Sequence, residues 1–248
     1  MPPTDLRQIA FLAPMRSELR PLVRALSLRR TRVGDFDVYR GAVGDTEVVA
    51  SLTTIGTVAA AEATERLLHG FPSTDHVVVV GIAGGVGPNV GVGDLIVPEI
   101  VVDGATGREY RPAPLGAGTG AVRPSGKVWT SDEFVIDKTR LAGLEADGVV
   151  ALDMETAAVA AVCEGHARAW SVFRAISDRA DEHEDSSVFE LARADGSPNL
   201  PAVARLLLRR PRYALRLARL GREAASAART AASAAARALR DERSAERG

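Results

Sequence analysis

Three acidic side chains stand where predicted strands hand over to loops or helices: Glu18 in PMRSEL, Glu155 in LDMETAA and Asp178 in RAISDRAD. Acids so far apart in sequence, if gathered in one pocket, can divide the work of breaking the N-glycosidic bond of a purine. The leaving base must be protonated at N7, the ribose oxocarbenium held through its hydroxyls, and a nucleophile delivered to the opposite face. An aspartic acid can supply the proton, a glutamate can accept both ribose hydroxyls, and a second glutamate can take a proton from water. Each acid also has an ordinary use. Glu18 could be a solvated helix charge, Asp178 a cap on the following turn, and Glu155 a favourable charge at a helix start.

Gathering them requires a sheet whose strands all deliver their ends to one edge. Residues 6–13 read as an opening strand closed by Pro14, followed by helical spacing over 15–26 at Leu19, Leu22, Val23 and Leu26. Residues 36–54 alternate as a hairpin about Gly44-Asp45, and a helix over 58–68 follows Gly56. The run 76–82, HVVVVGI, is apolar without alternation, as expected of a central strand covered on both faces, and it empties into Ala83-Gly84-Gly85. Strand signals recur over 94–102, 122–135 and 149–152, then a helix over 155–164, then a buried strand over 169–176 ending in Ser177-Asp178. Strands alternating with helices predict a single-domain three-layer α/β sandwich with a mostly parallel, partly mixed central sheet and ligands at the carboxyl ends of its strands. Beyond it come a polar loop over 179–187, helices near 188–194 and 200–209, a break at Pro211 and a long Ala/Arg/Leu helix over 212–240 with fraying expected after about 241. The chain divides into a catalytic domain over 1–208 and a basic helical extension over 209–248.

With 46% hydrophobic and 25% charged residues over 248 positions, the composition is that of a folded globular protein able to bury a sizeable core. The net charge of −1 hides a basic tail, with twelve arginines against four acids from Pro201 onward. Arginine outnumbers lysine 29 to 2, which reads as a compositional habit and not as a phosphate surface, so nucleic acid is not an expected partner. One cysteine, Cys163, excludes an internal disulfide, and four scattered histidines lack metal-ligand spacing, so no metal is expected. The AGGVG glycines are not spaced as a dinucleotide fingerprint, and no cofactor is expected. Neither a signal-like start nor a spanning apolar run is apparent, which points to the cytoplasm.

The order and spacing of PMRSEL, YRGAVGDTEVV, TTIGTVAAA, VVVVGIAGGVGPNVGVGDLIVP, SDEFV, DMETAAVAAVC and VFRAISDRAD resemble the nucleoside phosphorylase and nucleosidase superfamily. They are most similar to the 5′-methylthioadenosine/S-adenosylhomocysteine nucleosidases along nearly the first 180 residues. The resemblance implies a nucleoside phosphorylase-like fold and an N-glycosidase with a purine nucleoside as substrate. It makes Glu18 the water-activating glutamate, Asp178 the donor to N7, Glu155 the binder of the ribose hydroxyls, and Arg174 the residue that orients Glu18 or the water. Met154 and Met15 would line the sugar, Phe134 would stack on the base, and the Val135 backbone would read its Watson–Crick edge. Ala83 and Gly84 would bring bare amides to the nucleophile side. It also implies a homodimer or higher homo-oligomer, and a place in methionine salvage.

One position departs from the pattern. Where such nucleosidases carry serine in a GSAGG turn, a residue that helps hold the acid matching Asp178, this chain has Ile82. That turn and the extra tail resemble instead the hopanoid-associated branch, whose members act on an adenosylated lipid, and a basic amphipathic helix touching a membrane surface would suit such a substrate. A phosphorylase using inorganic phosphate is the nearest rival, with Arg16 and Arg40 as available cations, although Glu18 stands where phosphate would be repelled. Outside enzymes, the same fold could serve as a nucleoside-binding module.

Overall fold

The computed structural model describes residues 8–34, 36–116, 123–182 and 213–245. The helices expected near 188–194 and 200–209, the break at Pro211 and most of the preceding polar loop lie outside the described residues.

At the centre stands β5 (Thr74–Gly85), twelve residues long. Its unbroken apolar run follows from its neighbours: Val77 and Val79 enter one core cluster, Val78 and Val80 the other. β1 (Gln8–Ala13) does the same with Ala10 and Leu12 on one side and Ile9, Phe11 and Ala13 on the other. Strands clothed on both faces lose the polar alternation of half-exposed ones. β1 lies parallel between β5 and β4 (Thr46–Leu52), and an antiparallel meander through β3 (Phe36–Val43) and β2 (Arg29–Val33) finishes that edge. On its other side β5 runs parallel to β11 (Ala169–Arg179), which also pairs with β6 (Leu95–Ile96). At Gly84 and Gly85, β5 turns to meet β10 (Val149–Asp153) antiparallel. Beyond β10 lie β9 (Lys127–Thr130), β7 (Ile100–Asp103) and the edge strand β8 (Glu109–Tyr110), completing a mixed sheet of eleven strands among the described residues.

Helices α2 (Thr57–Gly70) and α4 (Thr156–Gly165) cover one face, α1 (Arg16–Ala25) and α5 (Tyr213–Ala245) the other, and the short α3 (Lys138–Ala146) lies against β10. Two expected strands are shorter than read. The segment 94–102 is broken at Val97–Glu99 around Pro98, which cannot donate to a ladder, and of the expected strand 122–135, whose first residue lies outside the described residues, β9 is the part in the sheet, with 131–137 leaving it as a loop.

The 33-residue α5 buries Ala227, Ala231, Ala235, Ala238 and Leu239 against α1, β5 and β11. Small side chains let its axis approach closely. A Cβ at Gly116, which has φ +78°, would lie 3.1 Å from the Ala238 Cβ. Glu242 accepts the Gly116 N–H at 2.7 Å, and Arg240 donates to the Ala25 carbonyl at 2.8 Å. The membrane-surface expectation is corrected here for residues 227–239, because their apolar face is inside the protein. No described helix is long and apolar enough to cross a membrane.

Candidate active site

The ends of β1, β5, β10 and β11 open onto a cavity of about 490 Å³. Met15, Glu18, Ala83, Gly84, Phe134, Val135, Met154, Glu155, Arg174 and Asp178 all line it, so every residue expected at the site is brought to one place. Pro14, Ile55, Trp129 and Ser177, none of them given a site role from sequence, complete much of the wall together with Ile82, the residue that departs from the GSAGG pattern.

Arg174 is the hub. It is carried inward on β11 and is 1% exposed. Its Nη2 donates to Asp153 Oδ2 at 2.5 Å and Glu155 Oε2 at 2.9 Å, and its Nη1 donates to the Ile82 carbonyl at 3.1 Å. Glu18 Oε2 lies 3.8 Å from the same Nη1. Burial by itself would lower the pKa of the guanidinium, but Asp153, Glu155 and Glu18 outweigh it and hold the group charged. A side chain at Gly81 would have its Cβ 2.2 Å from Glu18 Oε2 and 2.5 Å from Arg174 Nη1, so this meeting point requires glycine.

Asp153 was not anticipated. It ends β10, accepts the Thr130 hydroxyl at 2.6 Å, and caps α4 by accepting the Thr156 N–H at 3.2 Å. Glu155, at the N-cap position of α4, makes no capping bond and reaches away from its helix, with Oε1 accepting the Gly56 N–H at 3.2 Å. The readable signal was the Asp-Met-Glu triplet at a strand end, which sets two acids around the Met154 that lines the cavity.

Glu18 sits in the first turn of α1 yet is buried, and its Oε2 accepts the Ile82 N–H at 2.7 Å. Oε1 has no hydrogen-bond partner among the described residues. Burial pushes its carboxyl up to about 8, against the opposing pull of Arg174 and the Ile82 amide. Glu155 is raised to about 7, again by burial first, with Arg174 pulling down and Asp153 pushing up. A raised folded-state value means that the protonated carboxyl favours folding, and that this contribution is lost as pH rises from the ordinary 4.5 to about 8. Glu18→Gln is therefore expected to be more thermostable than the parent by a margin that widens between pH 5 and 8 and then levels off. Melting curves from pH 5 to 9 check this, and a margin that does not change with pH would rule out a raised Glu18.

Asp178 owes its aim to an irregularity. The β5–β11 register shifts between Ile176, opposite Ala83, and Asp178, opposite Gly84, which makes Ser177 the extra residue of a bulge. Bulges re-aim side chains at strand ends beside sites. Buried Ser177 thereby hydrogen-bonds Asp178 Oδ1 through its hydroxyl. The support that Ile82 cannot give from its side chain comes from Ser177, while the Ile82 backbone serves Glu18 and Arg174 and its side chain becomes apolar wall.

Past β9 the chain carries Phe134, 46% exposed at the cavity mouth, and buried Val135. The cavity therefore has an apolar mouth and, at its floor, carboxyl groups arranged around one cation. Such a site can hold a flat apolar ring with polar edges beside a hydroxyl-rich ring. Among the described residues no group of acids, histidines or cysteines could hold a metal ion.

The family profile of the phosphorylase superfamily matches residues 8–124 and 114–209. A 5′-methylthioadenosine/S-adenosylhomocysteine nucleosidase of Chromohalobacter salexigens is 31% identical over 209 residues, 73% of this chain and 88% of the relative. One from Exiguobacterium sp. is 31% identical over 210 residues, 74% and 90% of the two chains. Among solved structures, the Helicobacter pylori 5′-methylthioadenosine/S-adenosylhomocysteine nucleosidase, complexed with a substituted pyrrolidin-3-ol, superposes with a TM-score of 0.72 at 20% identity, covering 95% of this chain and 98% of its own. The Neisseria meningitidis nucleosidase in complex with methylthio-immucillin-A gives 0.71 at 22% identity, covering 94% and 99%. These structural likenesses speak for the fold.

Proposed function

Because the chain belongs to the phosphorylase superfamily, we propose that it hydrolyses the N-glycosidic bond of an adenosine-type nucleoside related to methylthioadenosine or S-adenosylhomocysteine. The observation that carries this reading is the convergence of Glu18, Glu155 and Asp178 on one cavity, with Arg174 between the two glutamates. Asp178 donates a proton to N7 of the leaving base. Glu155 accepts the ribose hydroxyls and favours the positive charge that develops on the sugar. Glu18 takes a proton from the attacking water. Phe134 stacks on the purine, the Val135 backbone reads its edge, and Met15 and Met154 flank the sugar. With its carboxyl raised to about 8, Glu18 gains its basic form as pH rises, so the rate should climb on the acid side of that value.

Water is favoured over phosphate as the nucleophile. Among the described residues Arg174 is the single cation lining the cavity, and its charge is taken up by Asp153 and Glu155. Arg40 is paired with Glu47 and lies over Phe71, and neither it nor exposed Arg16 lines the cavity. A cytoplasmic place in methionine salvage fits this substrate and accords with a lone buried Cys163 whose thiol burial pushes up to about 12. Assembly as a homo-oligomer is in keeping with Val58, 70% exposed beside the turn that carries Ile55.

Base release from methylthioadenosine, S-adenosylhomocysteine, adenosine and inosine, each with and without phosphate, tests the proposal. Release without phosphate, yielding free ribose sugars, is the expected result. Strict phosphate dependence would make the protein a phosphorylase. Silence with all four would overturn the small-nucleoside assignment and direct the search to a nucleoside with a large apolar 5′ group, or to binding without turnover.

A further inference from the structure

Two adjacent amides hold the sugar-side and base-side parts of the site. Gly56, at φ +103°, donates its N–H to Glu155 Oε1 at 3.2 Å. Thr57, the first residue of α2, donates its N–H to Asp132 Oδ1 at 2.7 Å and its hydroxyl to Asp132 Oδ2 at 2.5 Å. Asp132 lies in the loop after β9, two residues before Phe134 and three before Val135. It does not itself line the cavity.

The first amides of a helix have no intrahelical partner, and here the N-cap is a glycine with no side chain to serve them. Two carboxylates from distant segments do so instead, at the end of the helix where the dipole favours negative charge. A Cβ on residue 56 would stand 3.3 Å from Asp132 Oδ1 in a conformation that side chains resist, so the turn is shaped to admit both acids. We infer that Asp132 is a positioning residue that, through the Gly56-Thr57 turn, fixes the spacing between the base platform at Phe134 and Val135 and the ribose-holding Glu155. This rests on the nucleosidase reading for what the two ends bind, but not for the coupling itself.

A small misplacement between groups that must act together can cost about a hundredfold in rate. Asp132→Ala is expected to lower kcat/KM for base release by about ten- to a hundredfold, mostly through KM, with only a modest change in melting temperature. Asp132→Asn keeps the acceptor for the Thr57 amide and should recover most of the loss. Thr57→Val, which removes only the hydroxyl, should cost less than Asp132→Ala, and the double variant should be no worse than Asp132→Ala alone. Amide hydrogen exchange in the ligand-free protein reads the coupling without any turnover: Asp132→Ala should speed exchange over both 55–58 and 131–136. A kcat/KM within twofold of the parent would overturn the positioning role, and so would faster exchange confined to 131–136. A parent protein without base release, in which exchange still rises in both segments, would remove the nucleosidase reading and leave the coupling standing.

Discussion

Arg174→Met is expected to leave the protein close to unfolded at pH 8 and without base release in whatever remains folded. The side chain is 1% exposed and holds Asp153 and Glu155 by hydrogen bonds, with Glu18 at 3.8 Å. Methionine fills similar volume but leaves three buried carboxyl groups without their cation. Breaking a buried ion pair from one side costs about 3–5 kcal/mol, a large share of the roughly 5–15 kcal/mol by which domains are stable. The deficit should depend on pH, and its sign follows from the carboxylates. Arg174 pulls Glu18 and Glu155 down, so its loss lets both rise further above their ordinary value, and the variant goes on losing stability above about pH 7 to 8, where the parent's loss levels off. Denaturant unfolding at pH 5 and pH 8 should show the smaller deficit at pH 5. Arg174→Lys should also fail, since one ammonium cannot meet Asp153, Glu155 and the Ile82 carbonyl together. An Arg174→Met protein that lost under about 1 kcal/mol, equally at both pH values, would show that the hub is not what holds these acids.

Asp178→Asn should lower kcat for a purine nucleoside by about 10² to 10⁴, the range expected for losing a general acid, while KM moves little. Asparagine keeps an oxygen to accept from Ser177, so the bulge and the wall are preserved and only the transferable proton is lost. A riboside with a nitrophenolate leaving group needs no such proton, and its hydrolysis should fall far less. If purine release stayed near the parent rate, Asp178 would not be the donor.

The acids and the strands that carry them were legible because they leave local marks. A valine run needs two covered faces, and Ser177-Asp178 stands at the end of another buried strand. What joins distant segments leaves no such mark. Thr57 and Asp132 are 75 residues apart, and nothing in the periodicity of either stretch announces their bond. Ser177 could be recognised as the support for Asp178 only once the register slip was visible, since an extra residue in one strand cannot be read from that strand alone. β2, Arg-Arg-Thr-Arg-Val, shows no apolar alternation because it is an outer edge of the sheet. α5 looked like an appendage because alanine adds little hydrophobicity; it packs by closeness of approach and not by the size of its side chains.

The position of α5 in the chain governs how the protein is made. It is synthesised after every strand it covers, so during translation α1 and one face of β5 and β11 wait uncovered. An emerging chain with a nearly finished sheet and a bare apolar flank is at its most adhesive just before α5 is made. Chains ending before residue 227 would therefore be not weakened enzymes but sticky ones, cleared by chaperones and proteases or lost to aggregation.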